Sequence, residues 1–252
     1  LLDRALAMVA SGDYSSLHVL FLGDDEARTC DAAGMIARTG VQFHWTNPGY
    51  ADFDAFLATF SHDKRKKVKQ DRRRVAEAGV TFVRKTGRDI GDDDWAFFFR
   101  CYERTYRAHH STPYLTPEFF ARIGATMPDH LLLVLGFRGG APLCAALDVF
   151  GQDTLWGRYW GAIDYVPGLH FEACYYQAIA FAIERGIATF EGGAQGLHKL
   201  ARGLVPVVTR SAHAIADPAF AAAIAEVCAR ERVDIAHTVD ELEQSSPYRA
   251  AK

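Results

Sequence analysis

His198, Lys199 and Arg202 stand in a short stretch, Phe190–Pro206 (FEGGAQGLHKLARGLVP), that also holds Gly192, Gly193, Gly196 and Gly203. Glycine removes side-chain bulk and lets backbone approach a ligand. Lys199 and Arg202, at i and i+3, could clamp a phosphate or carboxylate. Gln195 adds an amide, and Glu191 places a carboxylate at the end of the preceding strand. Upstream, His170 and Glu172 follow a loop around Pro167-Gly168, at the opening of a helix. The plain alternative is a glycine-rich loop with solvated charges.

A second concentration of chemistry lies in His62–Arg74 (HDKRKKVKQDRRR), with eight basic and two acidic residues. On a helix the charge wraps most of the circumference and leaves Val68 and Val75 as the buried stripe. Lys64, Lys66, Lys67 and Arg73 are the candidate polyanion contacts: an RNA backbone held with salt-dependent affinity, a diphosphate, or anionic lipid head groups. A solvated helix face is the alternative. The whole chain of 252 residues has 28 basic against 31 acidic residues, net −3, so any anion site is a local feature.

The composition, 49% apolar and 23% charged, is that of a soluble globular chain. Five widely spaced cysteines without a CxxC read as reduced thiols in a cytoplasmic protein. Neither HExxH nor zinc-finger spacing is present, so no metal and no cofactor is expected. No Gly-x-Ser-x-Gly elbow appears, which argues against a hydrolase. No apolar run reaches the roughly 18 residues of a membrane span, and no signal peptide is evident.

The elements that must position these residues follow from periodicity. Asp52–Phe60 places Phe53, Phe56, Leu57 and Phe60 on one helical face. A basic helix, 62–78, starts after Ser61 and stops at Gly79. Val80–Lys85 reads as a strand, Trp95–Ala108 as a helix with acids before it, and Thr116-Pro117 as a helix start. Leu131–Phe137, Ala141–Phe150 and Thr154–Ile163 read as antiparallel strands. A long helix, Phe171–Arg185, crosses over to strand Ile187–Glu191, which should lie parallel to the strand before the helix. Asp217-Pro218 opens a last helix, Ala219–Arg232.

GRYWG (Gly157–Gly161), LHFEACYYQAIAFAIERG (Leu169–Gly186) and the glycine-rich stretch together resemble the FemAB-like branch of the GNAT superfamily, predicted N-acyltransferases of peptidoglycan biosynthesis. FHWTNPGYADFDAFL, KRKKVKQDRRR and PYLTPEFF resemble its other blocks, so the likeness runs from about Phe43 to Pro218. It implies an α/β (α+β) fold, a GNAT-like mixed sheet with flanking helices, in a tandem pair: residues 1–60 as the rear of a first domain, 61–240 as the second, and 241–252 as a loose polar tail. Because relatives have more residues upstream, the chain is expected to lack part of the first domain. The implied activity is transfer of an acyl or aminoacyl group onto an amine. The donor would be aminoacyl-tRNA, and the acceptor amine that of a peptidoglycan precursor. For such chemistry Glu172 or His170 would take the proton from the amine, and backbone N–H groups beside Gly161 or Gly193 would hold the oxyanion. Lys199 and Arg202 would bind donor phosphate, while His110, Tyr114 and Arg158 would border the acceptor. Two departures stand out. The coenzyme A loop of GNAT enzymes, Gln/Arg-x-x-Gly-x-Gly/Ala, is broken by Tyr165 and His170, and Leu197 replaces a Glu that relatives carry before the His-Lys pair. A coenzyme A-dependent N-acyltransferase and a catalytically degenerate RNA- or precursor-binding module are the alternatives.

Overall fold

The computed structural model describes residues 1–193, 196–244 and 246–249. In chain order the elements are α1 (Leu2–Ala10), β1 (Ser16–Leu20), α2 (Asp24–Ala32), β2 (Ile36–Thr46), α3 (Phe53–Ala58), α4 (His62–Glu77), β3 (Val80–Thr86), α5 (Asp92–Ala108), α6 (Pro117–Thr126), β4 (Leu131–Arg138), β5 (Ala141–Phe150), β6 (Thr154–Ala162), α7 (Leu169–Phe171), α8 (Gln177–Arg185), β7 (Thr189–Glu191), β8 (Val205–Ile215) and α9 (Pro218–Gln244). A π turn, Glu172–Tyr176, joins α7 to α8, and a 3-10 turn, Leu197–Arg202, precedes β8. Local chemistry sets many boundaries. The Asp52 carboxylate accepts from Ala55 N and caps α3, and Thr116 caps α6 with Pro117 in its first turn. Gly186, at φ +67, ends α8 in the left-handed conformation.

The chain forms two compact units. The first gathers Leu1–Phe43 with Val205–Ser246. In it β8 lies between β1 and β2, with Ser16–Leu20 antiparallel to Ser211–Ile215. A small core of Leu22, Cys30, Met35 and Ala212 holds the sheet to its helices.

The second unit takes His44–Gly193, Leu197–Leu204 and the residues from Pro247 on. Its strand order is β7-β6-β5-β4-β3, antiparallel throughout except that β7 runs parallel to β6. The end of β2, His44–Thr46, pairs antiparallel with β7. This is the mixed sheet with flanking helices that the GNAT resemblance implies, and the crossover through α7 and α8 gives the expected parallel pair. Leu131–Leu135 are fully buried because helices cover both sheet faces. On one face Phe97, Phe98, Cys101 and Tyr102 of α5, with Phe120 of α6, pack on Leu131, Leu133, Leu135, Ala145 and Leu147. On the other, Ala178, Ile179 and Ala182 of α8 are buried.

Several elements differ from the reading of the sequence. The helix read as Phe171–Arg185 begins at Leu169 and is interrupted by the π turn. Val205–Ile215, to which the sequence reading assigned no element, is a strand of eleven residues. Its Pro206, Arg210 and His213 interrupt the apolar alternation that marks a strand. The last helix runs to Gln244, well past Arg232, since neither Gly nor Pro interrupts it. The stretch expected as a loose tail includes Pro247–Arg249, which is tied down: Ser61 N donates to Pro247 O (3.0 Å), Arg249 N to Thr59 O (3.0 Å), and Tyr248 OH to Gly203 O (2.6 Å).

Candidate functional site

β6 and β7 pair only through Thr154–Trp156 and Thr189–Glu191. Beyond that point, among the described residues, β6 continues through Gly157–Ala162 without β7 beside it. The opened edge leads into a cleft of about 560 Å³ lined by Arg104, Thr105, His109, Trp160, His170 and Phe171, among others. One wall is fixed by a close contact of α5 with β6. Thr105 Oγ1 donates to Trp160 O (2.9 Å), and a Cβ at Gly161 would fall on the Cys101 carbonyl. Gly168 turns the chain into α7 at φ +86, and a Cβ there would sit 3.4 Å from Asp71 O of α4.

His170 ends the cleft in a cluster of rings. Its centroid lies 4.7 Å from Trp160, 5.4 Å from Tyr175 and 5.9 Å from His198. Tyr175 OH and His198 Nε2 are 3.1 Å apart, within hydrogen-bond distance. Burial, with the nearby His198, Arg202 and Lys199, lowers His170 to about 4, so the imidazole is neutral at physiological pH. His198 is lowered as well, first by burial and then by Arg202 and Lys199. The buried Lys199 Nζ donates to Gly193 O (3.0 Å), and burial brings it down to about 8. Two neutral imidazoles, a phenol and an ammonium of low proton affinity therefore converge within one unit.

Other sequence candidates stand elsewhere. The Glu172 carboxylate, 4% exposed, is turned onto α4: Arg72 Nε and Nη2 donate to its two oxygens at 3.1 Å each, and Gln177 Nε2 donates at 2.8 Å. The oxygens of the carboxylate that the sequence suggested as a base thus accept three bonds within the fold. Arg202 is likewise turned inward. It pairs with Asp71 (3.1 Å), donates to His198 O (2.8 Å) and lies 3.5 Å over the Phe171 ring. The expected Lys199–Arg202 clamp is thus divided between a group in the cluster and a structural cation. Glu191 ends β7 opposite His44. Arg158 is the exposed residue of a bulge between β5 and β6, its partnerless register falling between Tyr159 and Gly157. Tyr114 OH meets Tyr159 OH at 2.6 Å on the α5 face. His110 is exposed beyond α5 at φ +55, and its neighbour His109 lines the cleft instead. Gln195 lies outside the described residues. Lys64, Lys66, Lys67 and Arg73 are exposed on α4, where His62, Arg65, Lys66, Lys69, Gln70 and Arg73 line a crevice of about 360 Å³.

Sequence reasoning passed over Asp71, Arg72, Tyr175 and Asp148. Asp148, 2% exposed on β5, has an Oδ2 with no hydrogen-bond partner among the described residues. Burial raises it to about 8 against the pull of Arg158, so it keeps its proton far above the usual carboxylate range. An acidic residue inside an otherwise apolar strand (Leu143–Val149) was the signal available. Among the described residues no helix is long and apolar enough to cross a membrane, and no group of three or more His, Cys, Asp or Glu could hold a metal ion.

Several solved structures share this fold. A structure named as the C-terminal domain of a lysylphosphatidylglycerol synthetase from Agrobacterium fabrum is similar at TM-score 0.60 and 15% identity, over 91% of this chain and 76% of that one. L-PGS from Bacillus licheniformis is similar at TM-score 0.61 and 11% identity, over 90% and 77%. FemX is similar at TM-score 0.60 and 12% identity, over 85% and 75%. At these identities the likeness is one of fold. No protein among those with curated descriptions matches the sequence. The family model for FemAB-like proteins, described as peptidoglycan biosynthesis/recognition, matches residues 1–250. With nearly the whole chain matched, the chain belongs to the FemAB-like family.

Proposed function

We propose that this protein is an N-acyltransferase that moves an aminoacyl group from aminoacyl-tRNA onto the amine of a peptidoglycan precursor. The observation that carries the reading is that neutral His170, which lines the cleft beside β6, has His198, Tyr175 and Lys199 gathered around it. Aminolysis of an ester needs a neutral amine, a polarised carbonyl and a route for one proton. The amine nitrogen attacks the ester carbonyl carbon, and the Lys199 ammonium stabilises the oxyanion of the tetrahedral intermediate. The surplus proton on nitrogen passes to His198, hydrogen-bonded to Tyr175. As the C–O bond breaks, the proton passes to the leaving hydroxyl oxygen, and the amide remains. The basic face of α4 suits the ribose-phosphate backbone of such a donor.

Tyr165 and His170 interrupt the loop through which a GNAT enzyme would hold coenzyme A pyrophosphate, so acetyl-CoA is expected to bind only at about millimolar strength, near −4 kcal/mol. A non-catalytic RNA- or precursor-binding module is the second reading, favoured by the internal commitment of Glu172 and Arg202. Native mass spectrometry and thermal shift against acyl-CoA, aminoacyl-tRNA and a lipid- or UDP-linked muropeptide separate the three. Binding of aminoacyl-tRNA followed by appearance of an aminoacylated muropeptide supports transfer. Binding without product supports the module, and micromolar binding of acetyl-CoA overturns the choice of donor.

A further inference from the structure

The run of cations on α4 is interrupted by Asp71, and this one acidic residue is buried while the lysines around it are exposed. Its carboxylate faces away from any polyanion. Oδ2 accepts from Arg202 Nη2 at 3.1 Å, with Tyr176 OH at 3.5 Å. The Arg202 guanidinium then does three things at once: it pairs with Asp71, donates through Nη1 to His198 O at 2.8 Å, and covers the Phe171 ring at 3.5 Å. The 3-10 turn that carries His198 and Lys199 is therefore held from beneath by one side chain, and that side chain is held by α4. Short 3-10 turns have poor internal hydrogen-bond geometry and rely on such outside support. His198 is further bounded by Phe171 (5.6 Å) and Tyr175 (5.8 Å), and Phe171 is the ring that Arg202 covers.

We infer that Asp71 is a positioning residue for the transfer reaction: through Arg202 it fixes the turn that holds His198 and Lys199 beside His170. The inference rests on the transferase reading for its purpose and on the Asp71–Arg202–His198 geometry for its substance. A buried cation that loses its counter-charge either draws in water or leaves its place. Asp71→Asn removes the charge while keeping the volume. Arg202 then relaxes, the turn loosens, and His198 gains solvent.

The test reads the His198 ring by NMR in the ligand-free full chain. In the wild type, burial beside Arg202 and Lys199 holds His198 below its ordinary value, and Phe171 and Tyr175 shift its ring signals. In folded Asp71→Asn the titration is expected to move back toward about 6.5, with the ring signals moving toward those of a solvent-exposed histidine, while the amides of β4 and β5 keep their positions. A wild-type His198 titration in the folded variant overturns the inference. Should Asp71→Asn fail to fold, Arg202→Lys keeps the charge but loses the fork that spans Asp71 and His198 O. Release of His198 there upholds the inference, and an unchanged titration overturns it. With the substrate pair from the binding screen, kcat in Asp71→Asn is expected to fall by roughly tenfold or more while KM changes less than about threefold; a change confined to KM overturns it. The titration needs no substrate, so it stands or fails separately from the choice of reaction.

Discussion

Lys199 is a buried ammonium whose proton affinity burial has lowered to about 8, close enough to neutrality for its charge to be labile yet still present at physiological pH. Removing one charge-assisted contact costs about 1.5–3 kcal/mol, so Lys199→Ala should slow transfer roughly 10- to 150-fold, read by single-turnover kinetics on the substrate pair. Glu172 behaves oppositely. Its oxygens are committed to Arg72 and Gln177, so Glu172→Ala should lower stability by about 2–3 kcal/mol, less than a fully buried pair would lose because Arg72 is partly exposed. Chemical denaturation would show it; unchanged stability with lost turnover would return Glu172 to the role of base. Proton linkage adds two checks. His170 titrates near 4 in the fold against about 6.5 in the unfolded chain. The unfolded state therefore binds more protons between these values. The stability held above pH 6.5 falls as pH drops toward 4, by at most about 3 kcal/mol. Asp148 runs the other way. Its folded value near 8 exceeds the unfolded 3.8, so stability is greatest at low pH and declines as pH rises toward 8. Asp148→Asn removes that decline, and its melting temperature should exceed the wild type's by more at pH 8 than at pH 5. A gap that does not grow with pH would show that Asp148 is ionised in the fold.

At the scale of elements, α4 presents two chemistries from one helix. Val68, Asp71 and Val75 are buried, and the exposed faces carry the cations. Reversing Lys66, Lys67 and Arg73 to Glu should weaken polyanion binding and flatten its salt dependence. The melting temperature should barely move, since these positions are exposed. Equal affinity for tRNA before and after reversal would leave α4 as a solvated face. The α5–β6 contact is the opposite case, where backbone proximity leaves no room for a side chain. Gly161→Ala should cost about 3 kcal/mol or more, or push α5 off β6, which denaturation and α5 hydrogen exchange would both register. The amphipathic pattern and the stops made α4, α5, α8 and the β4–β6 meander legible in the sequence. Strand β8 was not, because its stability comes from lying between β1 and β2 and not from its own alternation.

Over the whole molecule, the second unit is assembled from separate stretches of chain. Tyr248, near the chain's end, donates to Gly203 O and packs edge-on against Phe60 at 5.2 Å. Gly203 directly follows the turn bearing His198, Lys199 and Arg202. Tyr248→Ala should therefore cost about 2–4 kcal/mol, while Tyr248→Phe should cost only about 1 kcal/mol, the hydrogen bond alone. Equal losses would show that the ring contributes nothing.

His170, His198 and Lys199 could be singled out as candidates from the sequence because glycines and a strand-to-helix turn mark a place where backbone can approach a ligand, and such signals are local. The order of strands around the crossover helix was legible for the same kind of reason, since chirality and connection length constrain it. Which charges would be spent inside the fold was not legible. Glu172 meets Arg72 across 100 residues, and Arg202 meets Asp71 across 131. Asp148 holds its proton far above the usual carboxylate range only because the folded sheet and helices bury it and leave its Oδ2 without a hydrogen-bond partner among the described residues. A residue's type states what chemistry it can do. Burial and partners, which exist only once distant segments pack, decide whether a charge stays available, is neutralised by a counter-ion, or gives up its proton affinity to desolvation.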